Sequence, residues 1–141
     1  MDWVEPAALQ GGAAVMGDQL ELETARVADG TRVIAVTGSL DLFRAPRFEA
    51  ELLAALEDTE GALIVDLTGC DFLDSGAIAV IVRRHRLLGD QGPRLLLVAP
   101  QRSLLRVFAL GRLDGRLEIH LTRAAALASA QALPTAREAG G

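Results

Sequence analysis

Lysine, asparagine and tyrosine are absent from the 141 residues, so all 14 basic side chains are arginine. That bias is expected of a GC-rich, bacterial coding sequence. Cysteine is nearly absent too. Cys70 stands alone, which excludes an intrachain disulfide and a cysteine-rich zinc site and fits a reducing compartment. Long apolar runs are missing. The longest, Ala77–Val82, stops at Arg83, far short of the ~20 residues that span a bilayer. The first residues do not show a basic segment followed by an apolar one, so no secretory signal is expected and the location expected is cytoplasmic. Excess positive charge is lacking as well. The formal net charge of -5 disfavours direct nucleic-acid binding, which needs a basic footprint.

What is present suits one folded domain. Half the residues are hydrophobic, enough for a packed core. A chain of this length buries roughly 68–70% of its unfolded surface without staples. Residues 1–17 lack periodicity and read as a flexible leader that includes Trp3, with Met16 as an alternative start. Residues 18–133 form the expected domain, and 134–141 a flexible tail.

Leu20–Ala28 alternates as an edge strand. Asp29-Gly30 is a hairpin turn signal before a second strand over Arg32–Gly38. Phe48, Leu52, Ala55 and Leu56 carry helical spacing over Pro46–Glu57, with Pro46 suited to the first turn. Ala62–Leu67 reads as a strand covered on both faces. Ser75–Leu88 is a second helix, broken by Gly89 to Pro93. A strand over Arg94–Ala99 follows, then a helix capped by Ser103 and ended by Gly111. Leu117–His120 is a short strand, and Thr122 caps a last helix to Leu133. The order β-β-α-β-α-β-α-β-α predicts an α/β fold: a mixed, mainly parallel sheet with an N-terminal β-hairpin and about four helices.

Function in such sheets gathers at the carboxyl ends of the strands. Two loops are expected there, Gly38-Ser39-Leu40-Asp41-Leu42-Phe43 and Asp66 through Gly76. From chemistry alone, Ser75 reads either as a helix cap, with Asp74 equally able to serve, or as a modifiable serine. Asp41 reads as a turn residue or part of an interface, and Leu42 and Phe43 as docking groups or core. Cys70 is expected as a small buried hydrophobe. Arg83, Arg84, His85 and Arg86 are expected as a solvated, salt-bridged face, and His120 as structural.

Asp66-Leu67-Thr68 followed by Phe72-Leu73-Asp74-Ser75 and an apolar helix resembles the signature of STAS domains. Gly38-Ser39-Leu40-Asp41 resembles the first loop of that family, and the resemblance spans roughly residues 19–130. It implies a STAS fold and, within bacterial anti-sigma factor antagonists, a specific role. Ser75 is the implied phosphorylation site, modified by an anti-sigma factor that is itself a GHKL-type serine kinase. The unphosphorylated form binds that kinase and frees the sigma factor, and a PP2C-type phosphatase reverses the modification. The implied partner-binding residues are Asp41, Leu42, Phe43, Asp74, Gly76, Ala77 and Ile78. No cofactor, metal or membrane insertion is implied.

The chain departs from the family pattern in two places. Gly76-Ala77-Ile78 puts the glycine one position early, and the methyl of Ala77 is expected to narrow a partner's approach. Arg44 stands where a capping threonine is common, and is expected to reach an acidic partner or a phosphate. A second STAS role is an unphosphorylated adaptor subunit of a membrane transport complex. An enzyme is disfavoured. No Gly-x-Ser-x-Gly elbow or phosphate-binding loop occurs, and His85 lies about 15 Å along the helix from Ser75.

Overall fold

The computed structural model describes residues 20–28, 30–90, 92–113 and 116–132. The expected leader 1–17 with Trp3 and Met16, the tail 134–141, and Asp29 and Gln91 lie outside the described residues.

Nine elements follow in order: β1 (Leu20–Ala28), β2 (Thr31–Leu40), α1 (Ala45–Glu57), β3 (Ala62–Leu73), α2 (Ser75–Leu88), β4 (Arg94–Val98), α3 (Arg102–Leu110), β5 (Glu118–His120) and α4 (Arg123–Gln131). The five strands lie in the spatial order β1-β2-β3-β4-β5. β1 and β2 form the expected antiparallel hairpin, and each later neighbour is parallel. The mixed α/β architecture is as the sequence predicts.

The sheet has a core on each face. On one, Phe48 and Leu52 of α1, Ile78 and Ile81 of α2, and Leu104 and Phe108 of α3 pack on Ile34, Val36, Leu63, Val65, Leu95 and Leu97. On the other, Ala126, Leu127 and Ala130 of α4 pack on Val33, Ile64, Leu96 and Val98. This two-sided cover explains the unbroken apolar runs of β3 and β4. A partly buried ion pair stitches α4 to the sheet: Arg123 Nη2 donates to Asp66 Oδ2 at 2.6 Å.

Several boundaries differ from expectation, and the largest difference has a physical reason. β3 runs six residues past Leu67 because β2 continues beside it, pairing Thr37 with Gly69 and Leu40 with Leu73. Both expected loops are therefore strand for much of their length. Two register shifts, between Ala35 and Thr37 and between Gly38 and Ser39, break the alternation that marks a strand in sequence. Gly38 sits at the second shift with φ 102, a conformation that favours glycine. α3 starts one residue before Ser103, with Gln101 as its N-cap. Thr122 caps α4 as expected, its hydroxyl accepting from Ala125 N at 3.0 Å.

Candidate functional site

Because β2 and β3 are parallel neighbours, their carboxyl ends deliver two segments to one end of the sheet. Asp74 joins them. Its backbone N donates to Leu40 O at 3.3 Å. Its Oδ1 accepts from Gly76 N at 3.0 Å and Ala77 N at 3.1 Å, capping α2. Its Oδ2 accepts from Leu42 N at 2.7 Å. One carboxylate thus satisfies two orphan donors of the helix and pins the neighbouring loop.

Ser75 is exposed at the first position of α2. The cap is Asp74, so the Ser75 hydroxyl is not consumed by capping. Gly76 explains the early glycine. A Cβ there would lie 2.8 Å from Leu42 Cδ1 and 3.4 Å from Leu42 Cα. The missing side chain is the space in which the Leu42 loop rests on the helix.

Asp41 builds the turn that follows. Its carbonyl accepts from Ala45 N at 2.8 Å, and its Oδ1 accepts from Arg44 N at 3.0 Å. Arg44 Nη1 pairs with Asp41 Oδ2 at 2.6 Å, so Arg44 is engaged within its own turn. The turn holds Leu42 and Phe43 outward, 63% and 89% exposed. Phe72, next to the last residue of β3 at the same end of the sheet, is 51% exposed. Ser39 Oγ donates to Asp71 Oδ1 at 3.0 Å and ties the two strand ends together.

The sequence-predicted residues therefore divide. Asp41, Leu42, Phe43, Asp74, Ser75 and Gly76 come together at this end. Ala77 and Ile78 do not reach the surface. Ala77 is 0% exposed and both belong to the core. The expected steric effect of the Ala77 methyl on a partner is corrected, because the methyl points inward. Phe72 was missed as a surface group, because strand alternation is lost at the register shifts. Its place in an apolar position between Asp71 and Leu73 was the available signal.

Contacts place four more residues singled out in the sequence: Cys70, Arg83, Arg84 and His120. Cys70 is buried, and burial pushes its thiol up. Arg83 and Arg84 pair with Glu49 of α1 at 3.0 and 2.9 Å. Hydrogen bonds from Arg83 and Arg84 hold Glu49 below the usual carboxylate range. His120 Nε2 lies 2.9 Å from Glu118 Oε2. Glu118 also bonds Ser129 and Arg94. Partial burial pulls its carboxyl upward, but the bonds from Ser129, His120 and Arg94, with the Arg94 charge, outweigh that and bring it to about 2.

A family model described as the STAS domain matches residues 24–126. The chain belongs to the STAS domain family. Its structural neighbours are anti-sigma factor antagonists. An anti-sigma factor antagonist from Mycobacterium paratuberculosis is 26% identical, with a TM-score of 0.70 over 82% of this chain and 97% of that one. The Bacillus cell fate determinant SpoIIAA in its phosphorylated form is 22% identical, with a TM-score of 0.61 over 79% of this chain and 100% of that one. A STAS domain protein from Planctomyces limnophilus is 20% identical, with a TM-score of 0.63 over 79% of this chain and 98% of that one. No curated protein matches the sequence. Among the described residues of this STAS domain, no helix is long and apolar enough to cross a membrane.

Proposed function

We propose that this STAS domain is a cytoplasmic, non-enzymatic anti-sigma factor antagonist switched by phosphorylation of Ser75. The unmodified form binds a GHKL-type anti-sigma factor kinase. The kinase transfers the γ-phosphoryl group of ATP to Ser75 Oγ, releasing ADP and the hydroxyl proton. A PP2C-type phosphatase returns the domain to its binding form. The observation that carries this reading is the division of labour at α2: Asp74 caps the helix, and exposed Ser75 is left for modification.

Electrostatics support a switch that acts on the interface and spares the fold. A phosphate brings about -1.5 to -2 charges at pH 7. At the first turn of α2 the helix dipole offsets about 0.3–1 kcal/mol of its repulsion from Asp74. Solvent reaches the group in the free protein. Under a docked partner, beside Leu42, Phe43 and Phe72, the same charge is desolvated against apolar surface, at a cost of several kcal/mol.

The test is incubation with ATP, magnesium and each GHKL-type kinase encoded in the same genome, followed by intact and peptide mass spectrometry. One phosphate on the Ser75 peptide, absent in Ser75→Ala, is expected. A folded protein left unmodified by every kinase would sink this reading in favour of the adaptor role.

A further inference from the structure

Past Asp66, β3 loses its neighbour on one side. β4 pairs with it only from Ala62 to Asp66, while β2 continues to Leu73 on the other. Residues 67–73 are thus a two-stranded ribbon, and that ribbon ends in Asp74 and Ser75. Three of its carbonyls are met by a single side chain. Gln101 Nε2 donates to Leu67 O at 2.7 Å, Thr68 O at 2.9 Å and Cys70 O at 2.8 Å. A carboxamide has two N–H hydrogens, so at least one is shared. The opposite amide orientation would set Oε1 against three carbonyl oxygens, so the contacts fix which atom faces β3.

Two features show that this contact is maintained against local cost. Gln101 Oε1 is buried and has no hydrogen-bond partner among the described residues, and a buried acceptor left unpaired is unfavourable. Gln101 is also the N-cap of α3, yet its side chain makes no cap bond. The side chain serves the ribbon instead of its own helix.

We propose that Gln101 is a positioning residue for Ser75. It clamps the open edge of the β3 ribbon and so holds Phe72, Asp74 and Ser75 in the register that a kinase recognises. It touches none of the reacting atoms, and the inference rests on the reading of Ser75 as the phosphoacceptor. Without the clamp, the ribbon samples other registers, and only a fraction of molecules presents Ser75 correctly. Such a fraction weakens apparent affinity in proportion and leaves the chemical step intact.

Two variants test this. Gln101→Leu removes the donors at similar size. Gln101→Glu sets a carboxylate against three carbonyls and regains one donor only when protonated. In both, amide hydrogen exchange is expected to accelerate across 68–73, with α2 and β4 still protected. The KM for phosphorylation is expected to rise roughly tenfold while kcat stays within about twofold. In Gln101→Glu alone both defects grow as pH rises through the carboxyl's titration, a signature that lost packing would not give. Unchanged exchange in the ribbon would overturn the clamp. Faster exchange with wild-type KM would overturn the positioning role. If the wild-type protein is itself not phosphorylated, the functional reading fails, and the exchange data alone then decide whether Gln101 holds the ribbon.

Discussion

Asp66 is 2% exposed and carries four hydrogen bonds. Its Oδ2 accepts from Arg123 Nε at 2.9 Å and Nη2 at 2.6 Å. Its Oδ1 accepts from Thr68 N at 2.9 Å and Thr68 Oγ1 at 2.5 Å. Asp66→Ala removes the carboxylate that accepts from both Arg123 and Thr68. Breaking a buried pair costs about 3–5 kcal/mol. The Arg123 side chain keeps 21% of its surface and can reach water, which places the loss near the lower end, about 3 kcal/mol. For a domain of this size that is roughly a 10 °C fall in Tm. Arg123→Ala leaves a buried carboxylate with Thr68 alone and is expected to cost a similar amount. The double variant is expected to cost about 1–3 kcal/mol less than the sum, because the second change removes an interaction already lost with the first. Urea unfolding of the four proteins measures each term. A loss below about 1 kcal/mol for Asp66→Ala, or additivity across the cycle, would refute the claim that this pair locks α4 onto the sheet.

Gly76→Ala is expected to leave stability within about 1 kcal/mol, since helix propensity gains about 0.5–1 while Leu42 is forced off its rotamer at about 0.5–1.5. Binding of the kinase should nevertheless weaken as the Leu42 loop lifts, and urea unfolding beside a titration separates the two effects. Phe43→Ala removes an exposed ring and should shift stability by no more than about 0.5 kcal/mol, yet weaken docking by about 2 kcal/mol if the ring is a central contact. Acid should destabilise the fold through Glu118 and Glu49. Both carboxyls sit lower folded than their ordinary 4.5. The stability they add is therefore present above 4.5 and is lost as pH falls toward about 2, where Glu118 titrates in the fold. Unfolding measured at stepped pH should show a flatter acid limb in Glu118→Gln.

Much of this could be read in the sequence, because the signals are local. The spacing of Phe48 and Leu52 marks a helix, Asp-Gly marks a hairpin, and the apolar run at Ala62 marks a strand covered on both faces. The pair Asp74-Ser75 before an apolar helix marked the candidate site. What escaped depends on residues far apart in the chain. The β3 extension exists because β2 runs beside it, and its register shifts hide both strand and the exposure of Phe72. Ala77 was expected at the partner surface from its place in the family pattern after Ser75, but helical geometry turns its methyl into the core. Gln101 gave no local sign. A glutamine at a helix start looks like an indifferent cap, and only the fold brings it to β3 carbonyls more than thirty positions earlier.

The central claim is that one phosphate on Ser75 separates two binding states of an otherwise unchanged fold. The most direct measurement is the affinity of the cognate GHKL-type kinase for the unmodified and the Ser75-phosphorylated protein, with circular dichroism and unfolding recorded on both. The account predicts matching spectra, similar stability, and binding weakened at least roughly 30-fold by the phosphate, the equivalent of about 2 kcal/mol. Equal affinity for the two forms, or a phosphorylated protein that has lost its fold, would contradict it.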